Sequence, residues 1–248
     1  MESSMESSME SKEDTDPRSH ICSFDIGKKN FAFYIEEIDN HTLLSIQNIP
    51  KENRYNLNGT PTPEFKHVLK QIWTNGKTVL FKNNDLTKNC NKQAYLDTEV
   101  LYNMNDLLDQ YASYFDKCQT ILIEKQMSFG KNHNTMALKL AQHCFSYFAF
   151  RYGRFKQIIE FPAYYKTQIL GAPKLEKKLK NGKITYKAID KPQRKKWSII
   201  QTIEILNDRE DDITMSSLNS VKKKDDLADT ITQLQAYKFL AYVDKVIF

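Results

Sequence analysis

The chain has 248 residues, with 36 Lys+Arg against 31 Asp+Glu and a formal net charge of +5. At 40% hydrophobic and 27% charged it matches an ordinary folded protein, long enough to bury a core without disulfide staples. No apolar run of about 18 residues occurs, which excludes a membrane-spanning helix, and 7 Gly, 7 Pro and 12% aromatic residues exclude collagen-like or wholly disordered chains. Cys22, Cys90, Cys118 and Cys144 form no C-x-x-C pair and no zinc spacing, and so read as reduced thiols of an intracellular protein.

Residues 1–19 hold a repeated Met-Glu-Ser-Ser unit and further acids, and predict a disordered, low-complexity tail. The tail has neither the apolar core of a secretory signal nor the arginines of a mitochondrial presequence. A folded domain is expected over 20–248. Ile21 to Gly27 reads as a buried strand, Phe31 to Ile35 as a second and Leu43 to Ile49 as a third, joined by short turns into a meander. Residues 50–95 are broken by Pro50, Pro61 and Pro63 and read as an insertion. A helix is expected from about Asp97 to Phe115, with Leu101, Met104, Leu108 and Tyr111 on one face. Thr120 to Glu124 is a strand, parallel to the first because a helix precedes it. A helix over Thr135 to Arg151 and a strand over Gln157 to Phe161 follow. Residues 163–190 read as a basic loop and a second insertion. Pro192 opens a helix, Asp211 to Ser220 is a polar connection, and a last helix runs from about Lys224 to Tyr242. Three strands followed by alternating helices and strands predict an α/β fold with a mixed sheet flanked by helices.

Three acidic positions stand in unusual surroundings. Asp25 interrupts an apolar strand, Glu124 ends another, and Asp226 and Asp229 share one face of a helix. Each has a plain structural reading. Asp25 can be a strand-ending turn residue, Glu124 can pair with a basic side chain, and Asp225-Asp226 can complement a helix macrodipole. Gathered at one end of a sheet, four carboxylates would repel one another unless cations lay between them. Oxygen-rich sites of that kind suit Mg²⁺ or Mn²⁺.

The stretch Ser23-Phe-Asp-Ile-Gly-Lys-Lys-Asn-Phe-Ala32 resembles the first motif of RuvC-type Holliday junction resolvases, in their poxvirus and fungal mitochondrial branch. Ile121-Leu-Ile-Glu-Lys-Gln126 is similar to that family's second motif. Lys223-Lys-Asp-Asp-Leu-Ala-Asp-Thr-Ile231 is similar to its last, a D-x-x-D helix behind basic residues. The resemblance covers about residues 20–35, 118–152 and 190–240. It implies an RNase H-like fold with a mixed five-stranded sheet. It also implies a homodimer acting on branched DNA, and two divalent metals, Mg²⁺ with Mn²⁺ as substitute, held by Asp25, Glu124, Asp226 and Asp229. Asp225 is a rival to Asp226, which keeps the family's spacing. Lys195 and Lys196, at the start of a helix, are both candidates to reach the scissile phosphate, Lys196 being the closer match to a family lysine there, and Phe129 matches an aromatic that stacks on bases near the junction centre. Two metals would serve the attacking water and the departing 3′ oxygen, cutting each strand to leave a 5′-phosphate.

Ten basic residues stand between Lys174 and Lys196 against Glu176 and Asp190, a concentration that exceeds the net charge of the whole chain. With Lys131, Lys195, Lys223 and Lys224 around the proposed metal site, this surface favours phosphate binding over a merely solvated charge run. The helix at 135–151, with its apolar stripe, reads as a candidate dimer interface or as core. The rival functions are another RNase H-like nuclease, acting on RNA–DNA hybrids or integrating DNA, and a non-catalytic junction-binding protein. The expected setting is the host cell of a large DNA virus, with the mitochondrion disfavoured.

Overall fold

The computed structural model describes residues 17–88, 90, 96–126 and 134–248. The Met-Glu-Ser-Ser repeat, Phe129 and Lys131 lie outside the described residues.

The apolar run Ile21 to Phe24 forms most of β1 (Arg18–Asp25), the centre of a five-stranded sheet. β2 (Phe31–Asp39) folds back on it antiparallel, and β3 (Gly76–Asn84) pairs antiparallel with β2. β4 (Cys118–Lys125) and β5 (Gln157–Pro162) continue on the other side, each parallel to its neighbour. The order is β3-β2-β1-β4-β5, with β2 alone antiparallel to the rest. This is the mixed five-stranded sheet expected from the sequence.

The third strand is not where the sequence pattern puts it. Leu43 to Ile49 holds the end of a short helix, α1 (Asn40–Ser45). Asp39 caps it, accepting from the backbone of His41 at 2.9 Å and Thr42 at 3.2 Å. A satisfied cap outweighs a modest strand propensity. The third strand instead comes from the region read as an insertion. There α2 (Pro63–Thr74), capped by Thr62, leads into β3. β3 is an edge strand with no fully buried residue, and Lys77 and Lys82 blunt its free edge, so its apolar signal is weak.

The expected helix near 97–115 is present as α3 (Thr98–Gln110) and α4 (Ala112–Phe115), with Tyr111 between them. α5 (Thr135–Tyr152) and α3 cover one face of the sheet over Cys22, Phe24, Phe33, Ile121 and Ile123. Ala141 and Phe148 of α5 are core residues there. After β5 comes α6 (Tyr164–Ile169), then a hairpin of β6 (Lys174–Lys178) and β7 (Ile184–Ala188), so the basic loop has structure of its own. α7 (Lys191–Asp208) opens with a capping box of Asp190 and Gln193. The stretch read as a polar connection is α8 (Asp212–Ser220), capped by Asp211. α9 (Lys224–Lys238) runs on into a π-helical turn over Phe239–Val243. With α2 and α7 it covers the second face of the sheet.

One fully buried charge cluster ties these layers together. Glu36 of β2 accepts from Lys238 at 2.6 Å, Arg209 at 2.9 Å, Gln235 at 2.8 Å and Tyr34 at 2.8 Å. A buried carboxylate is tolerated only with such partners. Here they come from the end of α7, from α9 and from β2 itself.

Candidate active site

Asp25 closes β1, and Glu124 stands next to last in β4. The parallel pairing runs Ser23 to Leu122 and Phe24 to Ile123, so the next step sets Asp25 beside Glu124. Strand side chains alternate. Phe24 and Ile123 enter the core under α3 and α5, so Asp25 and Glu124 turn to the other face, towards α9. The ends of parallel strands are where open α/β sheets present functional groups.

α9 is pinned to this face by Gln233, whose amide donates to Ser23 Oγ at 3.0 Å and to the Phe24 carbonyl at 3.3 Å. Asp229 lies one turn earlier on the same side of the helix. Its carboxylate therefore meets the strand ends. Asp25, Glu124 and Asp229 each offer an oxygen, and these lie within 4.8 Å of one another. Ser198 of α7 donates to Asp229 Oδ1 at 2.6 Å and holds that side chain in place.

α6 brings a lysine into the group. Lys166 is only 6% exposed, with its Nζ 3.2 Å from Glu124 Oε1 and 3.1 Å from Asp229 Oδ2. Burial opposes its charge, but Asp229, Glu124 and Asp25 outweigh burial and raise its pKa far above the ordinary lysine value. Burial holds the Asp25 carboxyl well above the usual carboxylate range, and the charges of Glu124 and Asp229 push it further. One ammonium does not balance three carboxylates. The group takes either a proton on Asp25 or a further cation. Its donors are all oxygens, which suits Mg²⁺ or Mn²⁺. A cavity of about 540 Å³ opens beside it, with Glu124, Lys166 and Asp229 in its lining. Tyr164, Lys191, Arg194, Lys195 and Trp197 form part of its walls. A larger hollow of about 870 Å³, beside α1 and α2, lies away from the carboxylates and has Glu64 as its one acid.

The other expected site residues are placed differently. Asp226 is not one of the three grouped acids. It is nearly buried, its carboxylate bonds Lys223, and burial raises its pKa. Asp225 bonds Lys195. Burial works against its charge, but that lysine holds its carboxyl below the ordinary value. Lys196 is exposed on α7 and does not line the cavity, whereas Lys195 does. Lys224 donates to Asn219 at 2.7 Å.

Sequence reasoning missed Lys166 and Ser198. For Lys166 a faint signal exists: a single charge set among Tyr164, Tyr165, Ile169 and Leu170, directly after a strand closed by Pro162.

No family model matches the chain. It is 33% identical over 251 aligned residues to uncharacterized protein 170L of Invertebrate iridescent virus 6, covering 94% of each protein. The chain belongs to the 170L family. Uncharacterized protein 97L of Invertebrate iridescent virus 3 is similar at 31% identity over 226 residues, 88% of this chain and 98% of that protein. Among solved structures, the 170L-family chain has likeness to the fowlpox virus Holliday junction resolvase. The TM-score is 0.47 and the identity 18%, over 88% of this chain and 96% of that one. RuvC of Thermus thermophilus gives a TM-score of 0.47 at 10% identity, over 90% and 95% of the two chains.

Proposed function

We propose that this protein is a Holliday junction resolvase, a structure-specific endonuclease that makes paired nicks in four-way DNA junctions. The observation that supports this best is the approach of Asp25, Glu124 and Asp229 to within 4.8 Å, beside a cavity walled by cationic side chains. Two of those acids lie on strand-end motifs and one on the D-x-x-D helix, in the order and fold that the resolvase motifs require.

Asp25, Glu124 and Asp229 would hold Mg²⁺ or Mn²⁺. Bound there, divalent ions supply an acidified water and charge relief at the phosphate. The chain's own part is to position and neutralise. Ser198 fixes the Asp229 carboxylate, and Lys166 bonds Glu124 and Asp229 and holds both directed inward. Arg194 and Lys195, on the cavity wall, offer charge-assisted hydrogen bonds to the phosphates flanking the cut. Asp226 is the remaining candidate for a second ion's ligand. A four-way junction has two equivalent cuts, so a C₂ homodimer supplies two sites related as the substrate is. The setting consistent with viral relatives is the infected cell.

The test uses a synthetic four-way junction, a linear duplex and an RNA–DNA hybrid, each with and without Mg²⁺. Paired Mg²⁺-dependent nicks across the junction, with 5′-phosphate ends, are expected, and Asp229→Asn should abolish them. Cutting of the hybrid alone would move the substrate to another RNase H-like class. Tight junction binding with no cutting in Mg²⁺ or Mn²⁺ would refute the enzymatic reading. Asp226→Asn reads the fourth acid: a loss as deep as that of Asp229→Asn supports a ligand role, and retained cutting removes it.

A further inference from the structure

Among the described residues, the β6–β7 hairpin is a basic element that neither packs on the sheet nor lines the cavity. It leaves the body at buried Ala172 and returns at buried Ile189, between α6 with Lys166 and α7 with Ser198. Its root is held where the Lys174 backbone N–H donates to the Asn58 carbonyl at 2.6 Å. Beyond the root nearly every residue is exposed. A two-stranded ribbon with no face packed is marginal on its own, so its side chains are not chosen for a core.

Its charged side chains are six lysines, at 174, 177, 178, 180, 183 and 187, against one acid, Glu176, beside the exposed apolar Leu175, Leu179, Ile184 and Tyr186. None of the lysine ion pairs among the described residues involves them. Like charges crowded on one ribbon destabilise it. Their distribution indicates what offsets that cost. The register pairs Lys174 with Ala188, Leu175 with Lys187, Lys177 with Thr185 and Lys178 with Ile184. Cross-strand partners share a face. Lys174 and Lys178 therefore point to one side and Lys177 and Lys187 to the other, while Lys180 and Lys183 stand on the turn. A ribbon lying flat on an anionic surface needs cations on one face only. A ribbon set between two rows of phosphates needs them on both.

We infer that the β6–β7 hairpin enters the major groove of a double-helical DNA arm next to the cut and grips the phosphates on both sides. This inference rests on the DNA-cutting reading above. The major groove of B-form DNA admits a two-stranded ribbon, and the narrow, deep groove of A-form RNA does not. Strands of five residues at about 3.3 Å per residue reach roughly 16 Å, or about five base pairs at about 3.4 Å each. The contact is to phosphate and does not depend on sequence. It gives the protein a hold on the arm separate from the site that cuts.

The test is a salt titration of binding, without divalent metal, to a junction with long arms, the same junction with arms trimmed to about five base pairs, and a linear duplex. Wild type is compared with the quadruple variant Lys177→Ala, Lys180→Ala, Lys183→Ala, Lys187→Ala and with the matching quadruple Arg variant. The Ala variant should bind the long-armed junction about tenfold or more weakly at physiological salt. Its log–log salt slope should be shallower by about three to four, at about 0.9 per lost phosphate contact. The Arg variant should restore both, and cleavage at saturating protein should stay within about twofold in all three. Equal affinity and slope in wild type and the Ala variant overturn the hairpin assignment, and leave the resolvase reading standing if paired nicks persist. A slope difference retained on duplex, from a wild-type chain that cuts no junction, upholds the hairpin assignment and overturns the resolvase reading.

Discussion

Lys166 shows how much one side chain can alter a site. Its ammonium lies between Glu124 and Asp229 and is buried with them. Removing one partner of a buried ion pair costs roughly 3–5 kcal/mol, because the remaining charge loses its compensation. Lys166→Gln should therefore lower the melting temperature in EDTA. Mg²⁺ should recover more of that loss than it adds to the wild type, because a divalent ion then replaces the missing charge. Equal Mg²⁺ shifts in both proteins would show that the lysine does not share the carboxylates with a metal. Ser198 makes a smaller contribution. Ser198→Ala removes one charge-assisted bond to Asp229, worth about 1.5–3 kcal/mol. It should slow cutting while leaving junction affinity unchanged, a split read by single-turnover kinetics beside equilibrium binding.

At the scale of elements, the site depends on how α9 is seated. Gln233 sets its position along β1, and the cluster around Glu36 anchors its far end. Burial alone would raise the Glu36 carboxyl, but Arg209 and Lys238 outweigh burial and lower it from 4.5 to about 2. A folded pKa below the unfolded one stabilises the fold above the unfolded value, and that stability is lost as pH falls through the folded one. About 3 kcal/mol should therefore disappear between pH 4.5 and pH 2, measured by urea unfolding at stepped pH. Gly76 sits against the same carboxylate. A Cβ there would lie 1.9 Å from Glu36 Oε1 and 2.7 Å from Arg209 Nη2. Gly76→Ala should cost about 2 kcal/mol or more, since neither buried charge can move without breaking its bonds. An unchanged unfolding midpoint would show that the cluster yields.

For the molecule as a whole, the mixed sheet sets two acids on neighbouring strand ends, and a helix closes over them. Ten millimolar Mg²⁺ (about that concentration suffices for weak carboxylate sites) should raise the melting temperature of the wild type and not that of Asp229→Asn, by the linkage of binding to folding. In light scattering the chain should run at twice its 29.1 kDa mass. A monomer at working concentration would make paired cutting depend on two independent encounters. Among the described residues no helix is long and apolar enough to cross a membrane, in line with the sequence.

The sequence alone determined what is local and periodic. Apolar runs put Asp25 and Glu124 at the ends of two strands, helical spacing put Asp226 and Asp229 on one face, and the count of lysines and arginines showed that the positive charge is concentrated over 174–196. These follow from runs, composition and the period of 3.6 residues, which short segments show by themselves. The tertiary structure decided the rest. Strand register and the docking of α9 through Gln233 selected Asp229, not Asp226, to meet the strand ends. Lys166 and Ser198 reach the same point from helices that no local pattern relates to it. The third strand lay hidden among prolines and asparagines because an edge strand buries too little to leave an apolar signature. Contacts between residues far apart in sequence are fixed by packing, and packing depends on the whole chain.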